Sequence, residues 1–405
     1  MQYSSWWNIK HPDACDQCFV QSKSAPKAGF SRFAFLFLMV VFLSPGVMAS
    51  EPPTVLEGWL SVVWADTPPG ADPVSVRRLT LTDNKGVSTS LSMSDELLSG
   101  GVIRWNGQRV KVFPAKQPSS PEEEDNLRVG AIQLVGSSSR DPAGHGTVTG
   151  SKPWISILCK FSDIPQEPKP LSYFENMYDN TTGRLDHYWR EVSFNQIDVV
   201  GSIAVDWVDL PGTQVSYIPI PGEGTNADLT QIFNDCTAAV DPFIDFSRGG
   251  TPFDGINLMI NEDLDCCAWG GSRFATLDGV TKSWRTTWNP PWAFGSVAVI
   301  AHEMGHGLGL PHANNWDGDT NPYDSPWDVM SSATGNTVND PTYGRRGKHV
   351  NAYHKDALGW FSPARRFEAP AEGQASIEID HIALAGATHY QMALIPIDAN
   401  RWYTV

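Results

Sequence analysis

The sequence predicts an α+β fold in three parts: a small N-terminal β domain, a central domain with a twisted mixed sheet and helices, and the start of a C-terminal β segment. Three observations predict it. Residues 50 to about 135 break into short strand-like stretches separated by turn signals. From Trp154 onward, apolar strands alternate with stretches of helical spacing. After residue 365 the pattern returns to strands alone. A chain of 405 residues is long enough for two domains, or three small ones, each with its own core.

At the N terminus the run Phe33 to Leu43 is unbroken apolar sequence, preceded by Lys10, Lys23, Lys27 and Arg32 and followed by Val47-Met-Ala49. Positive stretch, short apolar core and small-residue site together read as a secretory signal covering residues 1–49. The run falls short of the ~20 residues that span a bilayer, so export is expected rather than stable membrane insertion. A membrane-tethered form that keeps residues 33–49 is the alternative.

Residues 50–150 read as a β-rich pro- or accessory domain with its linker. Val55 to Trp64 and Val76 to Thr82 are its clearest strands. A hairpin of Val102–Trp105 and Gln108–Phe113 turns at Asn106-Gly107, a pair suited to a type I′ turn. Two polar stretches, 114–126 and 136–153, look exposed and cleavable. Residues 151–365 form the central domain. Its expected elements are strand Trp154–Phe161, helix Leu171–Tyr178, helix Gly183–Val192 capped by Thr182, and strand Ile197–Trp207. Helix Asp228–Val240 and strands Ile256–Ile260 and Arg273–Leu277 follow. Residues 366–405 open a C-terminal β segment, with strands at Ala375–Ile379 and Tyr390–Ile397.

Six cysteines occur. Cys15 and Cys18 precede the signal. Export permits disulfides among Cys159, Cys236, Cys266 and Cys267. Adjacent cysteines rarely bond each other, so Cys236 is expected to pair with Cys266 or Cys267, and Cys159 is as well read as a buried thiol. The net charge of −16 excludes a role built on phosphate neutralisation, so no nucleic-acid partner is expected.

The chemistry lies in His302-Glu-Met-Gly-His-Gly-Leu-Gly-Leu-Pro-His312. Residues four apart share a helix face, so His302 and His306 can offer two imidazoles to one ion. Glu303 is placed to reach a water carried by that ion. Gly309 ends the helix by turning left-handed, Pro311 prevents continuation, and His312 returns as a third ligand. Three protein ligands with one open position is the pattern of catalytic zinc, although imidazoles alone do not exclude other transition ions.

With those residues the chain resembles the metzincin zinc proteases, which share this long motif and a later methionine turn. Met330, in Ser325-Pro-Trp-Asp-Val-Met-Ser-Ser332, matches the turn. Within that group the chain is most similar to secreted gametolysin-like proteases, and more weakly to immune inhibitor A. That similarity also rests on Asn351 to Trp360 and His187 to Ser193, and it covers about residues 151–365. It implies a zinc-dependent endopeptidase acting on extracellular proteins or glycoproteins, with His302, His306 and His312 as ligands, Glu303 as general base and Met330 as a floor beneath them. It also implies that an edge strand pairs with an extended substrate. Where some metzincins place a switchable tyrosine, this chain has Ser332, leaving Tyr343 or Tyr353 as transition-state donor. No cysteine between residues 50 and 158 can block the zinc, so inhibition by residues 50–150 would fall to an acidic residue such as Asp141 or to steric cover.

Other features are weighed beside these. His349 and His354 follow the turn and read as surface histidines more readily than as cleft residues. Trp284, Trp288, Trp292, Trp316 and Trp327 flank the motif and either wall a cleft or pack loops. Asp317, Asp319 and Asp324 are a candidate calcium group, or a solvated acidic loop. Asn180-Thr-Thr182 fits a glycosylation acceptor. The competing function is a non-catalytic extracellular module that keeps zinc and binds glycans or proteins.

Overall fold

A computed structural model describes residues 55–405 except 75, 95–96, 98–104, 116–125, 136–146, 315–320, 371 and 398–401. The expected signal peptide, Cys15, Cys18, Asp141, Trp316, Asp317, Asp319 and the first strand of the expected hairpin therefore lie outside the described residues. Among the described residues no helix is long and apolar enough to cross a membrane. The fold is mixed α and β, dominated by one large sheet.

The N-terminal strands are β1 (Leu56–Asp66), β2 (Val76–Thr82), β3 (Ser88–Ser92), β4 (Arg109–Pro114) and β5 (Leu127–Leu134). They pair around a closed circuit, β1 with β2, β2 with β3, β3 with β5, β5 with β4 and β4 with β1. Alternate side chains fill its interior: Leu60, Val62 and Trp64 of β1 meet Leu79, Leu81, Val110 and Val112. A turn forms at Asn106-Gly107, closed by Gln108 N–H on the Trp105 carbonyl, but only Gly107 takes a positive φ, so it is not the expected type I′ turn; Asn106 accepts bonds from Val62 N–H and the Ser272 hydroxyl.

The central elements are β6 (Gly150–Ser151), β7 (Trp154–Lys160), α1 (Leu171–Met177), α2 (Leu185–Val192), β8 (Ile197–Asp198), β9 (Ile203–Asp209), α3 (Gln214–Tyr217) and α4 (Leu229–Val240). They continue with β10 (Gly255–Ile260), β11 (Ala268–Leu277), β12 (Val280–Asn289), α5 (Pro291–Phe294) and α6 (Val297–Gly307). Strands run in the order β11-β12-β10-β7-β9, with β12, β10, β7 and β9 parallel and β11 antiparallel. Period-two alternation sorts the sheet's two faces. Leu158 and Met259 face α1, α2 and α6, while Ile155, Ile157, Ile256 and Leu258 face α4. Trp284 and Trp288 lie fully inside the second of these cores, which settles them as packing residues.

Most expected central elements appear, with local differences. Helix α2 starts at Leu185 because a turn closed by Arg184 N–H on the Thr181 carbonyl precedes it, and Arg184 rather than Thr182 holds the cap. A turn closed by Ser202 N–H on Val199 splits the expected strand at 197–207 into β8 and β9. Helix α4 is capped by Asp228, whose side chain accepts from Gln231 N–H. The cysteines depart from expectation: Cys159 bonds Cys236, and Cys266 bonds its neighbour Cys267. Packing decides this, because α4 lays Cys236 directly on β7, with Cα atoms 6.0 Å apart, within the reach of a disulfide.

The remaining elements are β13 (Asn339–Asp340), β14 (Gly344–Arg345), α7 (Ala352–Ala357), β15 (Arg366–Glu368), β16 (Met392–Pro396) and β17 (Trp402–Thr404). The last three form a small sheet. Ala375–Ile379 makes only an isolated bridge, Ile379 to Tyr390, instead of the expected strand.

Strand β1 joins the two halves. One edge pairs with β2 along most of its length; the other pairs first with β4 and then, from Val63 to Asp66, with β11. The barrel and the central sheet are thereby one ten-stranded sheet. Leu60, Val62 and Trp64 point into the barrel, while Val63 and Ala65 enter the core shared with Trp269 and Trp288. Arg78 of β2 adds a second anchor. Its guanidinium lies 4.2 Å from the Trp269 ring centroid and donates to the carbonyls of Thr225 and Ala227.

Candidate metal centre

Every residue of helix α6 is buried, which is why its histidines face protein rather than water. His302 and His306 stand one turn apart with their Nε2 atoms 3.1 Å from each other. Their Nδ1 atoms are fixed by backbone: His302 to the Val329 carbonyl at 2.7 Å and His306 to the Leu310 carbonyl at 2.7 Å. A carbonyl can only accept, so each Nδ1 carries the proton and each Nε2 is left as a lone pair, the arrangement that orients histidine for a metal. Burial pushes His306 down to about 3, which keeps that ring neutral. Gly309 takes φ 98°, ends the helix, and allows His312 to return with its Nε2 toward the same point.

The fourth member comes from the other half of the chain. Asp66, the last residue of β1, places Oδ1 2.9 Å from His302 Nε2 and 2.7 Å from His312 Nε2, and Oδ2 3.2 Å from His306 Nε2. All four residues are buried, and together they form a group that could hold a metal ion. Trp64, two residues before Asp66, stacks on the His306 ring at 5.5 Å and meets His312 edge-on at 5.1 Å.

Glu303 stands beside this group, fully buried, and neither of its carboxylate oxygens has a hydrogen-bond partner in the structure. Burial, helped by the Asp66 charge, raises its pKa well above the ordinary value. A buried carboxyl without partners costs stability, about 1–3 kcal/mol or more, so its retention calls for a chemical reason. It lines a cavity of about 230 Å³ with His302, Trp292, Val299, Tyr323, Thr67 and Pro68. Of the flanking tryptophans, Trp292 reaches this wall, while Trp327 is solvent-exposed.

Met330 is buried beneath α6, and an added Cβ at Gly305 would lie 2.3 Å from its sulfur. The loop that carries it is tied in place. Asp328 accepts from the N–H groups of Met330 and Asn351 and pairs with His354 Nδ1 at 2.8 Å. The Met330 carbonyl receives Ala313 N–H, next to His312. His354 is therefore a buried support of the loop, contrary to the surface position expected, because α7 tucks it against Asp328. His349 sits near Glu191 and Lys355.

Two residues at the centre were not anticipated from the sequence. Asp66 belongs to residues 50–150, the stretch expected to supply an inhibiting acidic residue, whereas Asp141 lies outside the described residues. Tyr323 donates its hydroxyl to Asp66 Oδ1 at 2.9 Å, and its ring lies 5.3 Å from His312. Tyr343 is committed elsewhere, donating to the Tyr173 carbonyl, and the Tyr353 ring packs on His354. Asp317 and Asp319 of the candidate calcium group lie outside the described residues. A second cluster, Asp265 with Cys266 and Cys267, has its thiols joined to each other, and Asp265 bonds Ala227 N–H and the Trp269 indole. Neither a family model nor a curated protein matches the chain.

Proposed function

We propose that the chain is a zinc-dependent endopeptidase of the metzincin type, exported and acting on extracellular proteins or glycoproteins. The observation that carries this is the juxtaposition of three histidine Nε2 atoms, each aimed at one point, with a buried glutamate whose carboxylate is otherwise unused. Zinc fits the donor set, since neutral imidazoles with a carboxylate are its ordinary ligands. His302, His306 and His312 would hold the ion, which when bound lowers the pKa of a water and polarises a carbonyl.

The protein's own groups supply the rest. Glu303 takes a proton from the attacking water and returns it to the leaving amine, a task suited to a carboxyl whose affinity for a proton is raised by burial. Tyr323, whose hydroxyl donates at the position Asp66 Oδ1 now takes, is placed to donate to the oxygen that becomes negative in the transition state. The cavity beside Glu303 would receive one substrate side chain, with Trp292 as a wall. Strand β11, the edge of the central sheet, would pair with the substrate backbone.

The test measures metal content and casein hydrolysis of the chain after cleavage between residues 135 and 147, beside a Glu303→Ala variant. One zinc in each, with hydrolysis at least 10³-fold lower in the variant, is expected; equal hydrolysis in both would sink the assignment. One observation favours a second function. Four protein groups converging on one point is the closed arrangement of a structural metal, as in an extracellular binding module. Zinc in both forms, with hydrolysis in neither, would select it.

A further inference from the structure

We propose that the cleft between β2, β11 and the start of α4 binds an acidic sugar, whose carboxylate or sulfate is held by the Arg273 guanidinium. The inference stands apart from the protease assignment and uses none of the residues of the metal centre. Its geometry follows from strand register. Val63 lies opposite Arg78 on one side and Gly271 on the other, and Ser61 lies opposite Thr80. Side chains two residues apart share a face, so Ser61, Arg78, Thr80 and Arg273 stand together on the face that α4 covers. They line a cavity of about 800 Å³ with Asn226, Asp228 and Thr230 at the entry to α4. Its volume falls within the range of small-molecule sites, about 300–1,000 Å³.

The two arginines of this face differ in their partners. Arg78 is fully engaged: it donates to the carbonyls of Thr225 and Ala227, pairs with Asp265 at 3.8 Å and lies over the Trp269 ring. Arg273 makes no hydrogen bond or ion pair among the described residues, and its Nε is buried without a partner. Burial pulls its guanidinium below the usual value, with the Asp228 charge opposing. Ser61 is 3% exposed, and its hydroxyl is likewise buried without a partner. Two unpaired buried polar groups in one cavity cost stability until a partner completes them. A guanidinium fork matches the paired oxygens of a carboxylate or sulfate, and the first turn of α4 adds the positive end of a helix dipole. Asp228, whose Oδ1 accepts from Gln231 N–H, disfavours a second anionic charge. With Asn226 and Thr230 it offers partners for hydroxyls instead. The cavity is far larger than an inorganic ion. Its occupant is therefore a polyol carrying one oxyanion, which is the chemistry of an acidic sugar.

The test titrates the full chain at physiological ionic strength, read by ligand-observed NMR. The probes are a disaccharide ending in glucuronate, its counterpart ending in glucose 6-sulfate, the neutral disaccharide, and inorganic sulfate. At least one acidic disaccharide should saturate with a Kd of about 1 mM or below, and about 10-fold or more tighter than the neutral one. Whichever acid binds more tightly identifies the oxyanion. Arg273→Gln should weaken that binding about 10-fold or more, as loss of charge-assisted hydrogen bonds requires, and Ser61→Ala about 3-fold. Both variants are to match the parent's tryptophan fluorescence; Ser61→Ala, which removes one oxygen, gives the answer if Arg273→Gln fails to fold. Failure of both acids to saturate would overturn the site. So would the parent's affinity retained in the folded variants. Inorganic sulfate binding as tightly as the acidic disaccharides would also overturn it, as the mark of an adventitious ion only.

Discussion

Tyr323 shows what one side chain can be asked to do at this centre. Its hydroxyl is held at the oxygen that shares a point with three imidazoles. On the protease function proposed above, Tyr323→Phe should lower kcat of the cut chain by about 10²-fold, the usual loss for one donor to a developing oxyanion, with KM and metal content nearly unchanged. Steady-state kinetics with a fluorogenic peptide would decide it; a KM effect alone would make Tyr323 a substrate contact. The histidines and Glu303 were legible in the sequence because a helix converts a spacing of four into one face, and Gly309 and Pro311 mark where that helix must stop. Asp66 and Tyr323 were not. Asp66 lies more than 230 positions before His302, and nothing in Trp64-Ala-Asp-Thr-Pro68 distinguishes it from any strand end. Only tertiary pairing brings it to the metal group.

Among the elements, α6 depends on contact at one position. Alanine at 305 would gain about 1 kcal/mol of helix propensity over glycine. It would also force its Cβ to 2.3 Å from the Met330 sulfur. Met330 has no room to withdraw, being fully buried with its backbone held by Asp328 and Ala313, and overpacking of this kind costs about 1–3 kcal/mol. Gly305→Ala should therefore show a net loss of about 1 kcal/mol in denaturant unfolding and faster loss of zinc to a chelator.

Helix α7 carries a second expectation. Lys355 is buried, donates to the Val192 carbonyl, and is pushed down to about 7 by burial, against the pull of Asp328 and Glu191. A lysine with a lowered folded pKa binds fewer protons folded than unfolded, so stability rises with pH between about 7 and 10.5 and is lowest below that window. The rise should amount to a few kcal/mol, seen as an increasing urea midpoint, and should flatten in Lys355→Met. Elements such as β2, α1, α4 and β10 were readable because alternation or helical spacing agreed with their burial. The break between β8 and β9 and the start of α2 were set by turns whose hydrogen bonds leave no periodic trace. The disulfide pairing followed from how α4 lies on β7, which spacing does not encode.

Across the whole molecule, strand β1 belongs to two cores at once, with alternate side chains in each. Sequence patterning showed its strand character but not its double allegiance, because a two-sided strand reads simply as a longer apolar run. The pairing of Val63 with Gly271 joins residues about 200 positions apart, whereas the barrel closes within residues 56–134. During synthesis the barrel can be complete long before β11 leaves the ribosome, so β11 meets a finished edge instead of searching for one. Loop closure over such a distance is slow when both ends are unformed. Residues 147–405 refolded alone should therefore recover more slowly and with more aggregation than in the presence of added residues 50–135, as read by tryptophan fluorescence and light scattering. Equal recovery in both would show that the central sheet assembles unaided. The strand that closes the finished centre would then also be the surface on which that centre first took shape.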